Sequence, residues 1–541
     1  AGPAGPAGTA ARLLPWLLLA LVLALVVTAR WRLLDIPFER DEGEYAYAGQ
    51  LMLRGTPPYQ LVYNMKLPGT YAMYAGFIAL FGPTVRGVHL GLLLVNVLAI
   101  VLLFRLTQRL FGSTAAVVAA AAYALLSAQR EVLGLFAHAT HMIVLWALAG
   151  FLVLLTALDR GRRRDWFASG LCFGLAFLMK QHAVFFALFG AAVVLAAAWR
   201  SPERRSHLAG DGLAFAGGAA LPFALTCIAL AAAGVFGNFW FWVFRYAAAY
   251  VSEVPPAMGW VNLRRFFFPI VLAAPFLWGL AAVGLAVLLA DRRLRGRRLV
   301  VTAFLLGAVL AVCPGLHFRP HYFIVLLPAV ALLAGVAVDG ARRALRAVLP
   351  GGPAAAAAAT LFLGVLWVSF LPQADLLLRT PPARVVRAVY GADPFPEAVE
   401  VARYIRAHSP PTDRIAVLGS EPEIFFYADR LSVTGYIYVN GLMEDQPYAR
   451  TMQRQFVGEV EASAPEWVVL VGVAGSWGIG ANSEMAILQW ASRYLGAHYA
   501  PVGVAEIESA ERTVYRWRGA EPLEDPRAPF WVVLYRRNPG A

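Results

Sequence analysis

The feature that most constrains the fold is a series of long apolar runs separated by short polar segments. A helix needs roughly 20 apolar residues to cross a bilayer, and 60% of the 541 residues are hydrophobic while only 15% are charged. This composition excludes an ordinary soluble protein of the same length. Runs of suitable length cover residues 13–29, 88–104, 114–127, 138–158, 213–235, 267–290, 299–314, 322–338 and 354–371. A further stretch, 166–199, is too long for one helix and predicts a hairpin with Lys180 at its turn. We therefore expect a mainly α polytopic membrane protein with about eleven transmembrane helices.

The first run lacks a small-residue cleavage pattern, which favours a retained span over a signal peptide.

Arginine clusters between the runs predict the orientation of the spans. Cytoplasmic loops carry an excess of Lys and Arg, and this assignment places every cluster of three or more arginines on one face. The opposite face then carries the stretch around Asp41, the region of Glu131, Lys180, the aromatic segment 236–250, the cluster 317–321 and everything after Leu371. We expect a multi-pass protein of the bacterial cytoplasmic (inner) membrane. Because these clusters account for the net charge of +13, nucleic-acid binding is not indicated.

The composition changes at Pro372, where ordinary charge and turn signals replace the apolar runs. Six β-rich segments (RIAVLG, LSVTGYIYV, EWVVLVGV, YAPVGVAEI, RTVYRWRG and FWVVLYRRN) predict strands. Residues 397–409 and 443–463 predict amphipathic helices. We therefore expect a membrane domain over 1–371, with a first external loop at 30–87, and a periplasmic or extracellular α/β domain over 372–541. The segment VLGSEPE lacks phosphate-loop spacing, so no nucleotide site is predicted.

The stretch 38–82 holds acidic, aromatic and basic residues at a density unlike the rest of the membrane part. Asp41, Glu42 and Glu44 follow the first span directly, with Tyr45 beside them and Lys66 farther on. Charges this close to lipid are costly and often functional. A carboxylate there can take a proton from an acceptor or hold a divalent cation, and a basic side chain can neutralise a departing phosphate. Nucleotide sugars are cytoplasmic, so a polyprenyl-phosphate sugar is the donor expected outside the cytoplasm.

These residues carry a resemblance to a known superfamily. The segments RDEGEYAYAGQLMLRGTPPY and MKLPGTYAMYAGFIALFG resemble the first external loop of GT-C glycosyltransferases in the glycosyltransferase 39 group. Protein O-mannosyltransferases and lipid A aminoarabinose transferases are members of that group. The match covers an Asp-Glu pair at Asp41 and Glu42, the following Tyr45, and Lys66 with Pro68 displaced by one position. The many-span body and the C-terminal domain agree in architecture.

The resemblance implies roles for individual residues. Asp41 would be the catalytic carboxylate supported by Glu42, with Glu44 and Tyr45 beside the substrate, and Lys66 would contact the donor phosphate. The segment FRPHYFIVLLPAVALLAG is similar to a late-loop element of these enzymes. This segment adds Arg319, His321 and Tyr322 as candidates for binding the lipid phosphate. Lys180, at the hairpin turn, is a weaker candidate for the same role.

One departure from the family pattern leaves metal use open. Relatives place a second acidic residue in the next external loop, where this chain has Glu131 followed by His138 and His141. Either Glu131 or the histidines could take that place, and the pair His317 and His321 also has ligand-like spacing. The alternative roles are solvated charges for Asp41 and Glu42, an interfacial position for Lys66, and polar helix contacts for the histidines.

The sequence thus predicts an inverting glycosyltransferase that moves a sugar from a polyprenyl-phosphate carrier to an extracytoplasmic acceptor. No cofactor is required by this prediction, and a divalent cation remains open. The acceptor can be a glycan, a lipid or a protein. A non-catalytic membrane subunit of a larger complex and a transporter are the alternatives. The transporter is less favoured because the ionisable residues gather at one face and no repeat is found.

Overall fold

The computed structural model describes residues 6–200, 202–519 and 523–540. Contacts between residues divide the chain into two compact units, described separately below. The first unit comprises Ala1–Leu33, Leu92–Thr226 and Val254–Arg379, and is called the bundle unit. The second comprises Leu34–Gly91, Cys227–Glu253 and Thr380–Ala541, and is called the loop unit.

Helices account for the chain up to residue 378. In order they are α1 (Pro6–Arg32), α2 (Arg40–Leu53), α3 (Pro68–Phe81), α4 (Val85–Phe111), α5 (Ser113–Leu126), α6 (Ala139–Arg160), α7 (Arg163–Met179), α8 (Val184–Arg200), α9 (Pro202–Ala232), α10 (Phe236–Trp240), α11 (Ala247–Val251), α12 (Pro256–Ala273), α13 (Pro275–Ala290), α14 (Arg295–Val312), α15 (Leu327–Leu345) and α16 (Gly351–Leu378). Short 3₁₀ turns lie at Arg130–Val132, Gln181–Ala183, Arg292–Leu294, Pro314–Leu316 and Pro320–Leu326, and a π-helix occupies Phe241–Tyr246.

Seven of the described helices are long and apolar enough to cross a membrane, namely those of α1, α4, α6, α8, α9, α15 and α16. The pair α12 and α13 makes an eighth if it is counted as one bent span. The multi-pass prediction is confirmed, but the count of about eleven is not. The remaining predicted spans fall on α5, α7 and α14, which are short or begin with arginines. The hairpin is confirmed, because the chain leaves the helical conformation at Lys180 (φ −163°, ψ 142°).

The single helix predicted over 267–290 is wrong. The chain bends by 97° between α12 and α13, where Ala274 has φ −146° and ψ 58°. Pro275 follows, and a residue before proline is disfavoured in the helical region. Pro275 then occupies the first turn of α13, a position in which its missing N–H costs nothing.

Helix α15 lies at the centre of the bundle unit and is almost wholly buried. Glycines allow its neighbours to approach closely. A Cβ on Gly335 would lie 2.4 Å from the carbonyl oxygen of Ala115 on α5, and a Cβ on Gly284 of α13 would lie 1.9 Å from that of Leu333. Close backbone approach at small residues is the usual packing mode of membrane helices.

The C-terminal residues form a mixed sheet in the order β2-β1-β3-β6-β4-β5. The strands are β1 (Arg414–Leu418), β2 (Leu431–Ser432), β3 (Trp467–Gly472), β4 (Tyr499–Ile507), β5 (Thr513–Trp517) and β6 (Phe530–Arg537). The helices are α17 (Pro382–Tyr390), α18 (Phe395–His408), α19 (Glu423–Ala428), α20 (Asn440–Met443), α21 (Ala449–Ser463), α22 (Ala474–Trp477) and α23 (Ala486–His498). Strand β1 pairs in parallel with β2 and β3, and the other pairs are antiparallel. The predicted α/β fold is confirmed, although α16 extends past 371 to Leu378.

Two predicted C-terminal elements are wrong in extent. The strand predicted over LSVTGYIYV stops after Ser432. Side-chain hydroxyls then take the backbone donors, since the N–H of Thr434 bonds to Ser432 Oγ (3.3 Å) and that of Tyr436 to Thr434 Oγ1 (3.1 Å). Such local bonds compete with strand pairing. The helix predicted from 443 begins at Ala449.

The aromatic segment after α9 is helical, as predicted, but it is not simply an interfacial anchor. Phe239, Trp242 and Tyr246 are buried, and the Trp242 ring stacks on that of Tyr63 with centroids 5.6 Å apart. Only part of the segment, including Trp240, is exposed. It therefore packs within the loop unit.

Candidate active site

The predicted acidic cluster begins helix α2. Glu39 is the N-cap: its side chain accepts from the backbone N–H of Glu42, and the Glu42 side chain accepts from the N–H of Glu39 in return. This capping box fixes the first turn, and carboxylates there are favoured by the helix dipole. Asp41 lies on this turn and is only 8% exposed. This burial does not fit the alternative of solvated loop charges at Asp41 and Glu42, the latter being fully buried.

Lys66 lies beside Asp41. Its Nζ is 3.3 Å from Asp41 Oδ1 and 5.6 Å from the centre of the Tyr45 ring. Burial lowers the pKa of Lys66, but the negative charges of Asp41 and Glu44 outweigh it and raise the pKa well above its ordinary value. Lys66 is therefore a held cation and not a snorkelling side chain.

Lysine itself is rare in this protein. Lys66 and Lys180 are the only two lysines among the 46 Lys and Arg residues of the chain. Lysine presents a compact point charge that arginine does not imitate. This count was the signal in the sequence that most directly marks the two positions.

Glu44 lies three positions after Asp41 in α2 and is fully buried. It accepts hydrogen bonds from the Tyr71 hydroxyl (2.6 Å) and from the Asn64 side chain (2.8 Å). Burial raises its pKa to about 7, although Lys66 opposes the shift. Glu44 and the buried Tyr45 thus support the site from within the protein.

Glu42 is fully buried and pairs with His89 near the start of α4. His89 Nε2 lies 2.9 Å from Glu42 Oε1, and its Nδ1 lies 2.9 Å from the carbonyl oxygen of Leu34. A carbonyl can only accept, so Nδ1 carries a proton, and a second proton is shared between Nε2 and the carboxyl group. Glu42 is held in place through a residue that the motif did not include.

Arg40 connects α2 to the C-terminal residues of the loop unit, a contact that the sequence did not predict. Its guanidinium lies 3.4 Å from Asp393 and 3.5 Å from Glu421, and its Nε donates to the carbonyl oxygen of Ser420 (2.7 Å). Burial raises the pKa of Glu421 to about 7 even though Arg40 lowers it. Helix α2 also lies very close to the backbone at Glu423. A Cβ on Gly43 would lie only 2.5 Å from the backbone nitrogen of Glu423.

The remaining predicted residues belong to the bundle unit, and most of them meet around Tyr322. Lys180 Nζ lies 3.9 Å from the Tyr322 ring centre, and the rings of His182 and His321 lie 5.4 Å and 4.8 Å from it. Tyr322 follows Arg319, whose carbonyl oxygen accepts its backbone N–H (2.9 Å). The guanidinium-bearing Arg319 is exposed.

The sequence suggested pairs within one segment, His138 with His141 and His317 with His321, but the structure pairs His138 with His321. The rings of His138 and His321 stack with centroids 4.3 Å apart at 14°, so the relevant pair spans two loops. Spacing along one helix could not show this. Two imidazoles can contribute to a cation site, which needs three or four ligands in all, and a divalent cation stays an open alternative. Glu131 lies in the 3₁₀ turn and pairs with the adjacent Arg130 (3.1 Å).

Comparison with known proteins bears on these two clusters. Residues 66–231 match a family model described as dolichyl-phosphate-mannose-protein mannosyltransferase. ArnT from Cupriavidus metallidurans, bound to undecaprenyl phosphate, has a TM-score of 0.57 at 19% identity, with 84% of this chain and 92% of that chain covered. Its apo structure has a TM-score of 0.55 at 17% identity and covers 95% and 97%. The chain has the GT-C fold.

Other comparisons agree at the level of fold. The GT-C chain is similar to the oligosaccharyltransferase AglB from Archaeoglobus fulgidus, in complex with an inhibitory peptide and a dolichol-phosphate, with a TM-score of 0.53 at 13% identity and coverage of 95% and 75%. No curated protein sequence matches the chain. The GT-C fold expected from the resemblance in residues 38–82 is confirmed. The family model includes Lys66 and Lys180 but begins after Asp41, and the role of each residue stays a prediction.

Proposed function

We propose that this GT-C chain is a glycosyltransferase that moves a sugar from a polyprenyl-phosphate donor to an extracytoplasmic acceptor with inversion. The observation that carries the proposal is the buried pair of Asp41 and Lys66, at 3.3 Å, on a capped first turn. A buried charge pair is a poor source of stability. It is a good way to hold an ionised base in one position.

The reaction is a single displacement. The acceptor oxygen attacks the anomeric carbon, the bond from that carbon to the phosphate oxygen breaks, and its electron pair stays on the phosphate. The acceptor proton passes to the Asp41 carboxylate. General-base assistance of this kind contributes about 10²- to 10⁴-fold. Lys66, which the resemblance implies as a contact of the donor phosphate, is proposed here to orient the Asp41 carboxylate instead. Glu42 holds the helix turn through His89.

Donor binding is assigned to the cationic residues of the bundle unit. Lys180 and His321 contact the Tyr322 ring, and Arg319 lies three positions before Tyr322 in the chain; the three side chains supply charge and hydrogen-bond donors for a phosphate. A phosphate leaving group that meets fixed positive charge departs more easily. The structures of ArnT bound to undecaprenyl phosphate and of AglB in complex with a dolichol-phosphate support this donor class as a proposal for the present chain.

The test is transfer by the purified protein. Undecaprenyl-phosphate hexoses and pentoses with a labelled sugar are incubated with lipid, glycan and protein acceptor pools. We expect release of undecaprenyl phosphate and labelled product of inverted anomeric configuration for one donor. Retained configuration would overturn the mechanism. Donor binding without turnover would favour the non-catalytic subunit.

We also place the protein in a bacterial inner membrane with the loop unit outside the cytoplasm. Membrane-impermeant thiol labelling of single cysteines tests the orientation. The natural Cys172, Cys227 and Cys313 are first replaced by alanine. A cysteine introduced at exposed Ser509 should react in intact cells, and one at exposed Arg346 should not. The reverse pattern would contradict this orientation.

A further inference from the structure

We infer that Tyr438, from the C-terminal part of the chain, is a positioning residue of the Asp41 site. The inference rests on the proposed function and deepens it. The Tyr438 hydroxyl donates to Asp41 Oδ1 at 3.4 Å, the same oxygen that Lys66 contacts at 3.3 Å. The site is therefore built from segments almost 400 positions apart in the sequence.

The two contacts are long for fully formed hydrogen bonds. Catalytic hydrogen bonds are often long before a substrate is present and shorten in the reacting complex. Burial, together with the negative charge of Asp41, raises the pKa of Tyr438 well above its ordinary value. Tyr438 therefore stays a neutral phenol and can only help Asp41 by donating its proton in a hydrogen bond.

The segment that carries Tyr438, residues 435–440, is fixed at both ends. At one end, the backbone N–H of Tyr63 donates to the carbonyl oxygen of Gly435 (2.7 Å). At the other end, Ser420 Oγ accepts from the N–H groups of Val439 (3.0 Å) and Asn440 (3.2 Å). Since both anchors flank Tyr438, its Cα cannot move without breaking several bonds.

The Arg40 guanidinium lies over the Tyr438 ring. Its guanidinium carbon lies 6.0 Å from the ring centre and 5.5 Å from that of Phe395. Its charge is balanced by Asp393 and Glu421, and Glu421 in turn accepts from the Ser476 hydroxyl (2.7 Å). Arg40 directly precedes Asp41, so one side chain links the catalytic turn to the ring that orients its carboxylate.

The function of this arrangement is to hold Asp41 in one rotamer. Two donors on one oxygen fix the plane of the carboxylate, and a general base works only if its oxygen is aligned with the acceptor proton. On this account the C-terminal residues do more than recognise an acceptor, because they contribute a side chain to the proposed site.

The test compares Tyr438→Phe with Tyr436→Phe. Tyr436 is a buried tyrosine two positions away whose hydroxyl donates to Gln455 (2.8 Å), so its variant loses a similar bond away from Asp41. We expect Tyr438→Phe to lower kcat about tenfold with an unchanged KM for the donor, as loss of a hydrogen bond to a charged group implies. Tyr436→Phe should keep the wild-type kcat. Equal kcat values in the two variants would overturn the inference.

A second measurement does not depend on transfer. Thermal unfolding of the two Phe variants is recorded in the wild-type and in the Asp41→Asn background. The Tm loss of Tyr438→Phe should change in the Asp41→Asn background, whereas that of Tyr436→Phe should not, because only contacting residues couple. Additive Tm changes for Tyr438 would overturn the inference. Coupling in a protein that transfers no sugar would instead overturn the proposed function alone.

Discussion

Lys66 Nζ and Asp41 Oδ1 lie 3.3 Å apart, with the two side chains 14% and 12% exposed. The contact joins the first turn of α2 to the loop before α3. Neither group could be buried alone at low cost.

Removing the cation should destabilise the loop unit. Lys66→Met leaves Asp41 largely buried without its cationic partner, which costs about 3–5 kcal/mol in comparable pairs. The double variant Asp41→Asn with Lys66→Met should lose less than the sum of the two single losses. Thermal unfolding in detergent measures all three. Strictly additive losses would show that the two side chains do not interact.

Donor phosphate should protect a lysine. Amine-reactive labelling with peptide mass spectrometry reports Lys66 and Lys180 separately, since the chain has no other lysines. We expect undecaprenyl phosphate to reduce labelling of Lys180, which lies over Tyr322. Undecaprenol, which lacks the phosphate, is the matched control. The Lys66→Arg variant leaves Lys180 as the only lysine and should show the same protection. Equal protection by undecaprenol would refute a phosphate contact.

Stability should fall as pH rises because of Glu44. The pKa of Glu44 is raised to about 7 in the folded state, from about 4.5, so between those values the folded state holds a proton that the unfolded state has lost. The contribution is fully present below about pH 4.5 and is lost by about pH 7, with a size of roughly 3 kcal/mol. Glu44→Gln keeps partners for Tyr71 and Asn64 and should flatten this part of the pH profile of unfolding.

The control for that profile is an exposed carboxylate, Glu466, which pairs with Arg536 at the surface. Between pH 4.5 and 7, the range in which Glu44 titrates, the stability of Glu466→Gln should change with pH as that of the wild type does. A Glu44→Gln protein with the wild-type slope would assign the pH dependence to another group, such as Glu421, whose pKa is also raised to about 7.

His89 should act mainly by holding the Glu42 side chain in position, and less by carrying a charge. His89→Ala removes one of the hydrogen-bond partners of the buried Glu42, at a cost of about 1–3 kcal/mol, and should lower both Tm and the rate of transfer. His89→Gln retains an N–H donor near Glu42 and should recover part of both. Thermal unfolding and kcat are measured on the same preparations. A Gln variant as damaged as the Ala variant would argue that ring packing against Phe38 is what counts.

Much of the fold could be predicted from local patterns, because apolar length and strand periodicity are local properties. The hairpin at Lys180 and five of the six strands follow from them in this way. The bend at Ala274 was missed although Pro275 marks it. The short β2 was missed because the hydroxyls of Ser432 and Thr434 compete with strand pairing.

The candidate site was only partly predictable. Asp41 and Lys66 are close in sequence, and their motif pointed to both. The partners Tyr438 and Glu421 lie nearly 400 positions from α2, and no spacing rule reaches them. The histidine pair across two loops was missed for the same reason. Lysine scarcity is a second sequence signal for Lys66 and Lys180, which the motif and the hairpin turn had already marked.

The most direct test of the central claim is sugar transfer by Asp41→Asn. Asp35→Asn is the matched control, since Asp35 lies on the exposed surface of the loop unit and pairs with Arg86. Both proteins are compared with the wild type using the undecaprenyl-phosphate sugar that the wild type accepts, at equal folded concentration. The account predicts a loss of at least about 100-fold for Asp41→Asn and wild-type transfer for Asp35→Asn. Wild-type transfer by a folded Asp41→Asn protein would contradict it.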